Sequence, residues 1–162
     1  MQDLFSLVYV STASRQLDLL ELSRLQASAQ RRNAREGVSG VLLYADGNFM
    51  QCLEGPAQGL ARVYDVIRSD ALHYGIVEIV RERIAVRQFS EWSMAFRVVG
   101  AFACASPDEQ DALLMSRLAG HDPARSPSCR LLANFWNRGR RSTASELHDL
   151  SHVRHRRMAA GE

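Results

Sequence analysis

The chain has no lysine: all 20 of its basic residues are arginine, which we read as genome composition rather than chemistry. Cysteine is scarce as well. Cys52, Cys104 and Cys129 stand far apart. An odd count with no C-x-x-C pair argues against a disulfide framework and for a reducing compartment, with small buried thiols as the plain reading. Long apolar runs are missing, and none approaches the roughly 20 residues that span a bilayer. The first residues lack the basic segment, apolar core and cleavage site of an export signal. These absences lead us to expect a cytoplasmic chain with no membrane partner. Nor is there a surplus of one charge. The net charge is only +2, so nothing draws the whole chain to nucleic acid. The basic excess is local, at Arg138, Arg140, Arg141 and again at Arg154, Arg156, Arg157.

What remains is ordinary globular protein. At 162 residues, 46% hydrophobic and 23% charged, it can bury one core and carry a few added helices. Leu4 to Val10 reads as a strand that is apolar on both faces, with Phe5, Leu7 and Tyr9 pointing one way and Leu4, Val8 and Val10 the other; both faces then need cover. Leu17 to Arg32 reads as an amphipathic helix with Leu19, Leu22, Leu25 and Ala29 inward, Asn33 at its C-terminal end and Gly37 closing the turn. Val41 to Tyr44 and Phe49 to Leu53 flank Ala45-Asp46-Gly47-Asn48, a hairpin signal. Pro56 suits the first turn of a helix that runs to about Ser69. Ile76 to Ile84 and Trp92 to Val99 complete the strands, with Trp92, Met94, Phe96 and Val98 on one face of the last.

The order β-α-β-β-α-β-β predicts an α+β, ferredoxin-like sheet with two helices on one face. The other face needs a lid, and the tail offers one. Ser106-Pro107 and Ser126-Pro127 start helices, and Thr143 with Glu146 has capping-box spacing for a weaker third. We therefore expect a core unit over residues 1–100, a C-terminal helical cap over 101–141 and a basic, partly ordered tail over 142–162.

Within the sheet, Gln51 is out of place. It interrupts Phe49-Met50-Gln51-Cys52-Leu53, a run that should bury itself. An amide has two donors and two acceptor lone pairs, and burying a polar group unpaired costs about 1–3 kcal/mol. In this topology Tyr9 and Asn33 converge on the same slot. A phenol and two amides include no acid, base or nucleophile–base pair, so hydrolysis has no players. They offer directional hydrogen bonds to a flat heterocycle.

Four stretches carry a family likeness: Leu7-Val8-Tyr9-Val10-Ser11; Asn33-Ala34-Arg35 with Val38-Ser39-Gly40-Val41-Leu42-Leu43-Tyr44; Phe49-Met50-Gln51-Cys52-Leu53-Glu54-Gly55-Pro56; and Phe89-Ser90-Glu91-Trp92-Ser93-Met94. In this order the chain, from about residue 3 to 99, resembles the BLUF family of blue-light sensors that use flavin. The resemblance implies a flavin cofactor, FAD first, with FMN and riboflavin as alternatives. It implies that Tyr9 donates an electron and proton to the photoexcited flavin and that Gln51 is the hydrogen-bond switch between them. Asn33 would hold the ring edge, Leu25, Phe49 and Ile67 would sandwich the ring, and His73 would stand at its pyrimidine end. Trp92 and Met94 would pass the signal through strand five. One departure is Leu72, where many members carry arginine; Arg68 is a substitute to consider. The implied protein is a photosensory signal transducer without a catalytic output domain, acting through a downstream protein or as a homo-oligomer.

The competing class is a flavin-free ferredoxin-like module, regulatory or nucleic-acid-binding. His148, His152 and His155 share a helical face with metal-like spacing, but the neighbouring arginines repel a cation, and a solvated basic tail is the expectation.

Overall fold

The structure, a computed structural model, describes residues 3–99, 114, 116 and 126–141. The elements are β1 (Leu4–Ala13), α1 (Leu19–Arg35), β2 (Ser39–Ala45), β3 (Asn48–Pro56), α2 (Ala57–Ser69), β4 (His73–Ile84) and β5 (Ala95–Val99), followed by α3 over residues 127–141. A reciprocal cap starts α1: Glu21 N–H donates to Asp18 Oδ1 at 2.8 Å and Asp18 N–H to Glu21 Oε2 at 3.0 Å. The β2–β3 hairpin turns on Asp46 and Gly47, with φ of 47° and 76°, the positive pair that matches strand twist in a two-residue loop. Ser126 Oγ accepts from Cys129 N–H at 3.3 Å and caps α3.

One five-stranded sheet has the order β4-β1-β3-β2-β5. It is antiparallel except for the β2–β5 pair. β1 and β3 are therefore central neighbours, and their register puts Tyr9 opposite Gln51. The sheet has two faces because side chains alternate along a strand. Leu7, Tyr9, Leu42, Phe49 and Leu53 join Leu22, Ala29, Leu60, Val63 and Ile67 of the two helices in an inner core. Val8, Val41, Leu43, Met50 and Cys52 join Leu114, Leu132 and Trp136 in an outer one. Each fully buried leucine contributes about 1.5–3 kcal/mol. The α+β, ferredoxin-like arrangement, with α1 and α2 on one face and α3 on the other, is as expected. At Gly139 the helix comes so close that a Cβ would stand 2.9 Å from Val99 Cγ1 and 3.0 Å from the Ala45 Cβ.

Several boundaries differ from expectation. β4 starts at His73, not Ile76, because it pairs along β1 as far as Ala13. Pro56 caps α2 rather than sitting in its first turn. Leu19 is 62% exposed and not part of the inner stripe; it is the first residue of the helix, before the stripe meets the sheet. The largest correction is strand five. It begins at Ala95, so Trp92 and Met94 precede it and do not share a face: Met94 lies in the inner core and Trp92 packs on the outer one. The helices expected after Ser106 and Thr143, and the histidines of the tail, lie outside the described residues, apart from Leu114 and Ser116, which are helical. Among the described residues no helix is long and apolar enough to cross a membrane.

Candidate functional site

Tyr9 and Gln51 meet because β1 and β3 pair in that register. The phenol donates to Gln51 Oε1 at 2.5 Å, and both residues are 2% exposed. Burial pushes the Tyr9 phenol far above its usual range, with the Arg32 guanidinium pulling weakly the other way. The phenol is therefore neutral at any ordinary pH. Gln51 Nε2 lies 3.3 Å from Met94 Sδ, a weak acceptor. Among the described residues no further hydrogen bond is made by this buried amide, which leaves one N–H and one lone pair.

Asn33 is fully buried in the last turn of α1. Its Nδ2 donates to Ser93 C=O at 3.0 Å, while its Oδ1 is buried with no partner among the described residues. Arg32 Nε is in the same condition. Burial lowers the Arg32 pKa, against the attraction of Tyr9 and Asp70. A narrow cleft lies between α1 and α2; its walls include Tyr9, Leu25, Leu42, Phe49, Gln51, Ile67 and His73, its rim carries Arg32 and Asp70, and Asn33 is not among the residues that line it. Only about 30 Å³ of free space lies between the walls, room on the order of a water molecule or two, so a ring must part the apolar walls to enter. A wider groove of about 550 Å³ lies on the outer face beside α3, lined by Met50, Phe135 and Arg138 among others. It lies on the opposite face of the sheet from Tyr9, and we place the chemistry in the narrow cleft, which Tyr9, Gln51 and Arg32 line together.

His73 closes one end of the cleft. Its Nε2 donates to Ile67 C=O at 3.0 Å, leaving Nδ1 to accept from Ser11 Oγ at 2.8 Å. This Ser–His contact runs against the expectation that no nucleophile–base pair exists. Ser11 is 3% exposed and does not line the cleft, so the bond orients the imidazole and attacks nothing. Burial lowers the His73 pKa, partly offset by Asp70 and the Ile67 carbonyl. The folded value therefore lies below the unfolded one. The unfolded chain binds more protons between the two, so stability is full above about pH 6.5 and falls as pH drops through the folded value. The apparent melting temperature should fall between pH 7 and pH 5, and less so in His73→Gln; equal falls in the two proteins would contradict the assignment.

Sequence reasoning missed Arg32 and Asp70. Arg32 was legible, since it follows Leu25 and Ala29 on the same helical stripe; Asp70 lies beyond the end of α2, where no periodicity speaks. Arg68, considered as a substitute for the arginine absent at Leu72, does not line the cleft; its guanidinium carbon stands 5.9 Å from the centre of the Tyr64 ring.

A paired phenol and amide, apolar walls and unpaired polar atoms at the edges define a binding site for a flat, hydrogen-bonding cofactor. The chain belongs to the BLUF family, sensors of blue-light using FAD, whose model matches residues 4–95. It is 38% identical over 92 residues to a photoactivated adenylate cyclase subunit beta of Euglena longa, a match covering 56% of this chain and 11% of that protein. The chain thus spans about a tenth of that relative. Among solved structures it is similar to BlrB, a BLUF protein in its dark state, at 27% identity and TM-score 0.58, covering 74% of this chain and 81% of that one. It is also similar to Klebsiella pneumoniae BlrP1 with FMN and cyclic diGMP, at 29% identity and TM-score 0.67, covering 83% and 34%. The donor set at the cleft fits the family's flavin: apolar walls, the Gln51 amide and an Arg32 Nε with no partner among the described residues would be available to such a ring.

Proposed function

We propose that this chain is a blue-light photoreceptor in which Tyr9 and Gln51 are the photoactive pair. The observation that carries the reading is the buried Tyr9–Gln51 hydrogen bond beside a cleft with unpaired polar atoms. When bound, FAD, or FMN or riboflavin in its place, supplies absorption of blue light and an excited state that takes up an electron. Tyr9 is the electron source. It cannot ionise first, because burial holds its proton, so electron loss comes before or with proton loss. Gln51 Oε1 is the atom toward which that proton moves. Once the electron and proton have returned to Tyr9, the amide is left in a second bonding pattern, by rotation or tautomerism, and a buried amide with fixed neighbours has few such patterns. Leu25, Phe49 and Ile67 are the walls of the ring site, with Asn33 and Arg32 at its edges and His73 at its end.

Met94 is the first residue to sense the amide, and Trp92, on the outer face, is the next. From there the signal reaches α3 and the 101–141 cap, and then a partner protein or a second copy of the chain. In this scheme residues 1–100 form the sensing unit, 142–162 a basic tail, and the site of action is the cytoplasm. The test is direct: purified protein should bind FAD, turn yellow and shift its absorption to the red under blue light. A colourless preparation that takes up no flavin defeats the reading.

A further inference from the structure

We propose that Glu54 is a positioning residue for the switch: its carboxylate determines where Met94 stands against Gln51. The inference rests on the light-sensing reading above and extends it to how the amide is read out. Glu54 lies three residues beyond Gln51 on β3 and is 1% exposed. A buried carboxylate survives only where it is well bonded. Here Oε2 accepts from the main-chain N–H groups of Gln88, at 2.8 Å, and Phe89, at 3.0 Å. Burial pushes the Glu54 pKa up, and these two bonds act the other way by favouring the charged form. Arg87, whose charge also favours the carboxylate, is itself tied to Gly37 C=O and Ser39 Oγ.

The segment that Glu54 grips crosses the sheet edge from one core to the other. Phe89 is fully buried in the outer core and stacks on Trp92, with ring centres 6.1 Å apart and planes at 17°. Trp92 N–H donates to Phe89 C=O at 3.1 Å, and Trp92 C=O accepts from Gly40 N–H at 2.9 Å. Two residues on, Met94 is 1% exposed in the inner core. Its Sδ faces Gln51 Nε2, and its C=O accepts from Gln30 Nε2 at 3.1 Å. The segment is thus strapped to one strand twice, by the Gln51 amide at its inner end and by the Glu54 carboxylate at its outer end. A strap held at both ends transmits a displacement of Met94 to the Phe89–Trp92 stack instead of absorbing it.

Methyl NMR of the methionine-labelled 162-residue chain tests this, with and without added FAD, in wild type, Glu54→Leu and Glu54→Gln. In Glu54→Leu the two N–H groups lose their acceptor. The Met94 methyl signal should broaden or double, and dark recovery of the FAD-loaded protein should change by roughly tenfold or more. Glu54→Gln keeps an acceptor oxygen but loses the charge, so it should shift both readouts in the same direction by less. A folded Glu54→Leu chain with the wild-type Met94 signal and recovery rate overturns the proposal. Should that variant not fold, an unmoved Met94 signal in Glu54→Gln overturns it equally. Failure of wild type to bind FAD would count against the photoreceptor reading alone, because the Met94 signal is also read on the flavin-free chain.

Discussion

Tyr9→Phe should leave a yellow protein that no longer shifts its absorption to the red in blue light. The substitution removes one oxygen from a side chain that is 2% exposed. The ring keeps its place against Tyr64, whose centre is 5.7 Å away, and His73, at 6.3 Å. The walls of the cleft are unchanged, so flavin binding should persist. What disappears is the donor to Gln51 Oε1 and with it the only proton the pair can pass. Leaving the buried Gln51 Oε1 without its donor costs about 1–3 kcal/mol in stability, a fraction of the roughly 5–15 kcal/mol typical of a domain, whereas the effect on the light response should be total. Gln51→Leu should give the same phenotype by removing the acceptor. Difference spectra of lit and dark samples decide the matter: a wild-type red shift in Tyr9→Phe would mean that the electron comes from elsewhere, and a shift in Gln51→Leu would mean that the amide is not the switch.

Gly40→Ala should be the most damaging single methyl in the described fold. A Cβ at this position would stand 2.1 Å from the Cys52 carbonyl oxygen and 3.2 Å from Leu53 Cα. Both are backbone atoms of the central strand β3, paired with β2 through Gly40↔Leu53 and Val41↔Cys52, so neither can swing aside as a side chain would. Relief requires β2 to move off β3, which also stretches the Gly40 N–H bond to Trp92 C=O. Overpacking usually costs 1–3 kcal/mol and sometimes more; with rigid backbone on the far side we expect about 3 kcal/mol or above. Denaturant unfolding of wild type and variant measures it, and a difference under about 1 kcal/mol would show that the sheet yields more than its pairing implies.

Local chemistry made much of this legible in advance. The two-residue Asp46-Gly47 turn announced the hairpin because few residues tolerate positive φ. The 3.6-residue stripe of α1 and the double-sided apolarity of β1 announced a covered sheet. Gln51 was conspicuous because a lone amide in an apolar strand needs a partner, and its partner Tyr9 followed from pairing β1 with β3. Trp92 was misread for an equally physical reason, while Met94 does share the inner face with Phe96 and Val98. The alternation of the four has the period of a strand, but the backbone before Ala95 is committed to other bonds: Asn33 holds Ser93 C=O, Gln30 holds Met94 C=O and Gly40 holds Trp92 C=O. Those competing bonds come from elements 50 or more residues away, or across the sheet, and no local pattern encodes them.

By itself the order of amino acids determined which elements form and which face each buries, since backbone preference and apolar spacing are properties of neighbours. It also placed an amide where only a bonding partner could justify it. Tertiary structure alone decided that Arg32 Nε would sit at the cleft with no partner among the described residues, that Met94 and Trp92 would look to opposite cores, and that Glu54 would grip the chain just before them. Each of those outcomes depends on which distant groups reach a hydrogen-bonding atom first, and distance in space is fixed only once the sheet has closed.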